Sequence, residues 1–328
     1  MRRWNIAVTG FGGVGRAVAE QLANRRARYA ARYGADVRLT GLRRSKSAAV
    51  DPDGLGRGDW DRSAPPPEDF LDAAQAHVLI EAGPSDFRTG GPGLGYMRAA
   101  LSSGRHVIAV SKGALVHDGP GLRELAARHG VRLKISGAAA AALPTIDLIE
   151  HDLAGCEIVS IEGILNATSN HLLTEMMERD VTLGEALAAA QGAGFAEADP
   201  SLDVDGWDAA SKLLILLNFG LGASLTMTDL SVGGVGHVEL DDVRRWRDAG
   251  LSPRLVAHAR RASDGLAAGV ELRTYPASDL FALARGKTKA IRIATDAVGE
   301  LVVSSCASEP AATAAAALKD LEHILATG

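Results

Sequence analysis

The feature that most constrains this chain is a glycine-rich hexad, Gly10-Phe11-Gly12-Gly13-Val14-Gly15, set between an apolar run at residues 5–9 and a long helical pattern at 14–33. A GxGxxG spacing that follows a strand and opens a helix is a dinucleotide-binding arrangement. Its first glycine permits a tight turn, its second lets the backbone approach a pyrophosphate, and its third allows close helix–strand packing. The helix N-terminus adds unpaired N–H groups and a partial positive charge. Gly10, Gly12, Gly13, Val14 and Gly15 are therefore candidate cofactor contacts. The second strand, expected at 37–42, runs into Arg43-Arg44-Ser45-Lys46 and carries no carboxylate. An acid there would hold the ribose 2′-hydroxyl of NAD, whereas cations suit a 2′-phosphate. Arg43, Arg44 and Lys46 thus predict NADP over NAD.

Around this loop the first half alternates short apolar runs (5–9, 37–42, 78–81, 107–110, 131–136) with helical patterns (14–33, 94–102, 121–129). That alternation predicts an α/β fold, a Rossmann-type doubly wound parallel sheet. The proline- and glycine-rich stretch 51–67 reads as a loop excursion. The pattern changes after Pro144. A strand at 157–165 precedes helices at 169–179, 183–191 and 206–217, then β-like runs between 255 and 303, including 290–295 and 301–304, and a helix at 311–326. With 328 residues the chain is long enough for two domains. Residues 1–145 are expected to bind the cofactor, with helix 308–328 packing back on them. Residues 146–307 are expected to form an α+β catalytic, substrate-binding and dimerisation domain.

Composition narrows the class. Hydrophobic residues make up 47% of the chain and charged ones 23%, enough for a buried core. A net charge of −5 argues against a nucleic-acid binder. Cys156 and Cys306 form neither a disulfide framework nor a metal-ligand spacing. No leader or membrane-spanning segment is expected, so the chain reads as cytoplasmic, with a small-molecule partner. HExxH, GxSxG and Walker patterns are missing from the sequence, which removes support for hydrolase and phosphotransferase readings.

The second half carries five carboxylates between Glu197 and Asp208. Asp205 is expected to cap the helix that follows, and Asp208 and Lys212 fall at i and i+4 on one face. Lys212 is followed by Leu213-Leu214-Ile215-Leu216-Leu217, an environment too apolar for a solvated helix. An ammonium there needs a partner, and a carboxylate-held ammonium can donate a proton to a carbonyl oxygen as hydride arrives. An interior ion pair without catalytic use is the alternative. Lys112 follows the fourth strand, where a parallel sheet faces its ligand crevice.

The motifs Gly163-Ile164-Leu165-Asn166-Ala167-Thr168-Ser169-Asn170, Ala196-Glu197-Ala198-Asp199-Pro200, Asp205-Gly206-Trp207-Asp208 through Lys212, and Asp51-Pro52-Asp53-Gly54-Leu55 closely resemble those of homoserine dehydrogenases. The resemblance runs through nearly the whole chain, in a short form without a C-terminal regulatory domain. It implies reversible hydride transfer between NADPH and L-aspartate 4-semialdehyde giving L-homoserine, in amino-acid biosynthesis leading to threonine and methionine. It further implies that Asp208 and Lys212 are catalytic, with Lys112 as a second active-site lysine. Glu197 would bind the substrate ammonium, with Asp203 and Thr168 nearby, and Pro84 and Ser85 would line the nicotinamide side. A homodimer through the second-domain sheet is also implied.

Some positions depart from the family pattern. Ser136 stands where family members carry an acid that, with backbone carbonyls, often binds a monovalent cation; no metal is assigned. Ala167 replaces a glycine, Lys289 an asparagine, and 304–310 lacks the usual glycine-rich run. These departures leave open a same-fold oxidoreductase acting on another semialdehyde or amino alcohol, or a non-enzymatic NADP-binding regulatory homologue.

Overall fold

The computed structural model describes residues 1–56, 62–63, 65–263, 265–307 and 310–327. It divides into two compact units, one of Met1–Ile146, Asn218–Ser224 and Glu309–Gly328, the other of Asp147–Leu217 and Leu225–Ser308.

The first unit begins with β1 (Arg2–Thr9), α1 (Gly13–Tyr33), β2 (Ala35–Arg43), β3 (Ser47–Val50), β4 (Arg62–Ser63) and α2 (Pro67–Ala73). It continues with β5 (Val78–Glu81), α3 (Gly91–Ser102), β6 (His106–Ala109), α4 (Gly113–Arg128), β7 (Leu133–Lys134) and α5 (Ser136–Ala139). The sheet order is β4-β3-β2-β1-β5-β6-β7. Strands β2, β1, β5, β6 and β7 are parallel, while β3 and β4 extend the edge antiparallel. Residues 4–8 of β1 and all of β5 are buried, as expected of central strands covered on both faces. The chain turns back across β1 to place β5 on its other side, and this reversal of strand order opens a crevice at their carboxyl ends.

Helix α6 (Thr145–Asp147) begins in the first unit and leads into a short π-helix at Leu148–Asp152 of the second. The second unit continues with β8 (Ile158–Ile164), α7 (Ala167–Arg179), α8 (Leu183–Gly192), α9 (Ser201–Val204) and α10 (Trp207–Gly220), whose last residues, from Asn218, count with the first unit. After β9 (Ser231–Val232) and α11 (Leu240–Asp248) come β10 (Leu251–Ala262), β11 (Gly265–Pro276), β12 (Lys289–Thr295) and β13 (Glu300–Ser305). Their sheet runs β13-β12-β8-β10-β11-β9, antiparallel except for the β9–β11 pair. Val256, Tyr275, Phe281 and Ala290 pack with Ile164 in its core. Helix α12 (Pro310–Leu325) belongs to the first unit, where Ala314, Ala317, Leu318 and Leu321 share one core with Val18 and Leu22 of α1.

Several expectations are corrected. The strand expected at 131–136 shortens to β7, because Ser136 opens α5. Helix α4 begins at Gly113 rather than 121, and non-helical Asp118 breaks it ahead of Pro120. The stretch 51–67 is not wholly loop: β4 pairs with β3 and α2 starts at Pro67, while 57–61 and 64 lie outside the described residues. Asp205 does not cap α10. It closes α9, its N–H reaching the Ser201 carbonyl at 2.8 Å, and Gly206 at φ +87° intervenes.

Candidate active site

The dinucleotide half lies in the first unit. Gly10 adopts φ +81°, and a Cβ there would sit 2.3 Å from the Ala82 carbonyl. A Cβ on Gly15 would lie 1.9 Å from the Gly10 carbonyl oxygen, whereas one on Gly12 would meet nothing within 4 Å. Two glycines therefore let the backbone close on itself, and Gly12, preceding α1, leaves open space beside the helix start. Such a cradle fits a pyrophosphate. Gly13 opens α1 as Gly12's neighbour, and Val14 packs into the core below.

The cleft at these strand ends encloses about 550 Å³ and is lined by Gly10, Phe11, Gly12, Arg43, Arg44, Ser45 and Pro84, among others. The Arg43 guanidinium lies over the Tyr96 ring at 4.9 Å and that of Arg44 over Phe11 at 5.4 Å. Lys46, expected to join them, is exposed and does not line the cleft. Ser85 accepts the Lys112 backbone N–H at 3.0 Å, which ties the loop after β5 to the one after β6. Lys112 thus stands at the carboxyl end of a parallel strand, as its sequence position predicts.

The same cleft holds a group that sequence reasoning missed. Glu81 closes the apolar β5 with a side chain buried to 1% exposure. One of its oxygens accepts the Gly83 N–H at 2.8 Å and the other meets the Ser111 hydroxyl. Burial pushes its carboxyl above the ordinary range, against the pull of those two hydrogen bonds. The available signal was an acid ending an otherwise aliphatic strand.

The second unit holds a sheltered lysine–carboxylate cluster. Lys212 Nζ lies 2.5 Å from Asp208 Oδ2 and donates to the Leu165 carbonyl at 2.9 Å. The two side chains are 16% and 13% exposed, so the pair is sheltered. Asn166 caps α7 by accepting the Ser169 N–H at 2.7 Å, and its amide donates to Asp203 at 2.6 Å and Asp208 at 2.7 Å. Asn166 therefore joins two carboxylates that sit on α9 and α10. Sequence reasoning quoted it within a motif but gave it no role; an Asn directly before a helix was the signal. Thr168 is buried in the first turn of α7. Glu197 is exposed, and its backbone carbonyl is held by Gln191 at 2.9 Å.

A doubly wound sheet with a glycine cradle at its reversal point, in a chain that also shelters a lysine–carboxylate pair, defines a nicotinamide-dinucleotide-dependent oxidoreductase. The homoserine dehydrogenase family model matches residues 144–321, and that of the homoserine dehydrogenase NAD-binding domain matches 10–136. A NAD(+)-dependent homoserine dehydrogenase of Pseudomonas canavaninivorans is 33% identical over 99% of this chain and 97% of its own. The homoserine dehydrogenase of Methanocaldococcus jannaschii is 30% identical, covering 98% of each chain. The solved homoserine dehydrogenase of Thiobacillus denitrificans superposes with a TM-score of 0.89 at 26% identity, over 99% of this chain and 74% of that one. The chain belongs to the homoserine dehydrogenase family, NAD(P)-dependent oxidoreductases that act on a CH–OH group.

Proposed function

We propose that this protein is an NADP-dependent homoserine dehydrogenase that reversibly reduces L-aspartate 4-semialdehyde to L-homoserine. The observation that carries the proposal is the Lys212–Asp208 pair at 2.5 Å, sheltered and oriented by the Leu165 carbonyl. A bound nicotinamide supplies the hydride. Lys212 donates a proton to the oxygen of the reduced carbonyl and takes it back in the reverse direction. Asp208 stabilises the charged ammonium, and Asn166 fixes the carboxylate that does so. Lys112 provides a second cation for the developing alkoxide. Glu197 binds the substrate ammonium, with Asp203 and Thr168 beside it. Pro84 and Ser85 flank the nicotinamide.

The preference for NADP is supported by Arg43, Arg44 and Ser45 lining the cleft at the end of β2, where the chain has no acid. The relative from Pseudomonas canavaninivorans is named as NAD(+)-dependent, so cofactor choice needs its own measurement. A homodimer in the cytoplasm completes the proposal. Its support is Leu280 and Leu283, 54% and 62% exposed on the 3₁₀ turn Leu280–Leu283 between β11 and β12, together with the free thiols Cys156 and Cys306, which suit a reducing compartment. No helix among the described residues is long and apolar enough to cross a membrane.

The test follows NADPH oxidation with L-aspartate 4-semialdehyde beside a panel of other short aldehydes. Turnover of the semialdehyde is expected, and Lys212→Ala should lower kcat by about 10²–10⁴-fold while NADPH still binds. Turnover of the panel alone selects a relative with another substrate. Cofactor binding without turnover of anything selects a regulatory protein. A Lys212→Ala variant that retained most of its kcat would remove the assigned proton donor.

A further inference from the structure

The resemblance implies a monovalent cation bound by loop carbonyls and an acid at position 136. The side chains in the first unit do not fit it. Position 136 is a serine, and a carboxylate that faces it is Asp320 of α12, which is fully buried at 0% exposure. Asp320 accepts the Ser136 N–H at 2.9 Å and the Ser136 hydroxyl at 2.7 Å. Lys319 Nζ donates to the same hydroxyl at 2.8 Å and lies 3.4 Å from Asp320 Oδ1. The hydroxyl proton is thereby engaged by Asp320 and a lone pair by Lys319. Asp320 already accepts two hydrogen bonds from Ser136 and faces the Lys319 ammonium, so an alkali ion entering here would stand directly beside a fixed positive charge.

We propose that the Lys319 ammonium permanently replaces the alkali ion at the 136–144 loop, so that the fold and activity of this protein are independent of sodium and potassium. The replacement is also mechanical. Ser136, at the start of α5 directly after β7, is fastened to α12 by Asp320 and by a covalently attached cation, which cannot dissociate as an ion does. The loop itself holds Ala141 at φ +55°, a backbone conformation that needs such external support.

Thermal midpoints measured in choline, sodium and potassium chloride at equal ionic strength test this directly, alongside kcat/KM in the same salts. The midpoint reads the loop whatever the substrate or cofactor proves to be, so its failure is separable from failure of the proposed function. The wild-type protein is expected to behave identically in all three salts. Lys319→Ala, which vacates the space, is expected to melt about 3 °C lower in choline and to recover in sodium or potassium. Lys319→Arg, which keeps the charge, is expected to remain insensitive to the ion. A wild-type protein stabilised or activated by an alkali ion over choline overturns the proposal. So does a Lys319→Ala variant that melts like the wild type in every salt. Should Lys319→Ala not fold, the wild type and Lys319→Arg decide: insensitivity in both supports the proposal, and an ion requirement in either overturns it.

Discussion

Asn166 Nδ2 donates to Asp208 Oδ2 at 2.7 Å, and that same oxygen lies 2.5 Å from Lys212 Nζ. One carboxylate oxygen is therefore shared by an amide that positions it and an ammonium that depends on it. Asn166→Ala removes this link along with the α7 cap, costing about 1 kcal/mol of stability for the cap. Losing a hydrogen bond to a charged group should also lower kcat by roughly tenfold. Steady-state kinetics beside thermal melting separates the two. A melting loss with unchanged kcat would reduce Asn166 to a helix cap.

Cofactor choice is expected to reside in Arg44 rather than Lys46. Arg44→Ala should raise the Kd for NADPH by roughly 10–100-fold through loss of charge-assisted hydrogen bonds, leaving NADH binding nearly unchanged. Lys46→Ala should alter neither, because Lys46 stands outside the cleft. Fluorescence titration of both nucleotides checks this, and equal effects on NADPH and NADH would remove the assignment of Arg44 to the 2′-phosphate.

Gly10→Ala should be among the most damaging substitutions in the first unit. The added Cβ meets the Ala82 carbonyl at 2.3 Å in a left-handed backbone conformation, so roughly 2 kcal/mol or more of stability should disappear together with nucleotide binding. Gly12→Ala, with nothing within 4 Å of its Cβ, should fold normally. Its effect should appear only in nucleotide affinity, as measured by calorimetry.

Two histidines give the first unit an acid-sensitive edge. His77 Nδ1 accepts the Asn5 N–H at 2.9 Å, and His106 Nδ1 accepts the Arg132 N–H at 3.0 Å. Burial, aided by neighbouring arginines, lowers both imidazole pKa values. A folded-state pKa below the unfolded value of about 6.5 makes this contribution full above that pH. It is lost as pH falls from there through the folded-state values, because the unfolded chain takes up protons first. Melting temperature should accordingly decline on acidification below about pH 6.5. His77→Asn with His106→Asn, which keeps an acceptor but no titrating ring, should flatten the slope in that window. An unchanged slope would place the acid sensitivity elsewhere.

The dinucleotide half was legible because its signals are local. A turn that only glycine can make, an apolar strand before it and a helix after it all fall within the first 33 residues. The parallel core strands showed themselves as unbroken apolar runs, and Val78–Glu81 occupies the span its residues predict. Lys212 was legible for a similar reason, since the aliphatic run beside it left no solvated alternative. Elements that depend on distant partners were not. Asn166 gains its meaning only when α9 brings Asp203 to it. Helix α11 is short and mostly charged, so no apolar periodicity announced it. The β10–β11 pair extends for 12 residues in each strand, further than its apolar core, and the outer residues Arg260 and Arg261 broke the expected pattern. Asp205 looked like a cap until the left-handed Gly206 turned the backbone between it and α10.

Helix α12 lies close to the carboxyl end of this sequence yet supplies Ala314, Leu318 and Leu321 to the core beneath α1. On the ribosome, the amino-terminal sheet therefore emerges with one wall missing and must wait, apolar side exposed, while the whole second unit is translated. Its core closes only once α12, which lies beyond the second unit in the sequence, has been made, so the order of synthesis and the order of packing differ in this half of the protein.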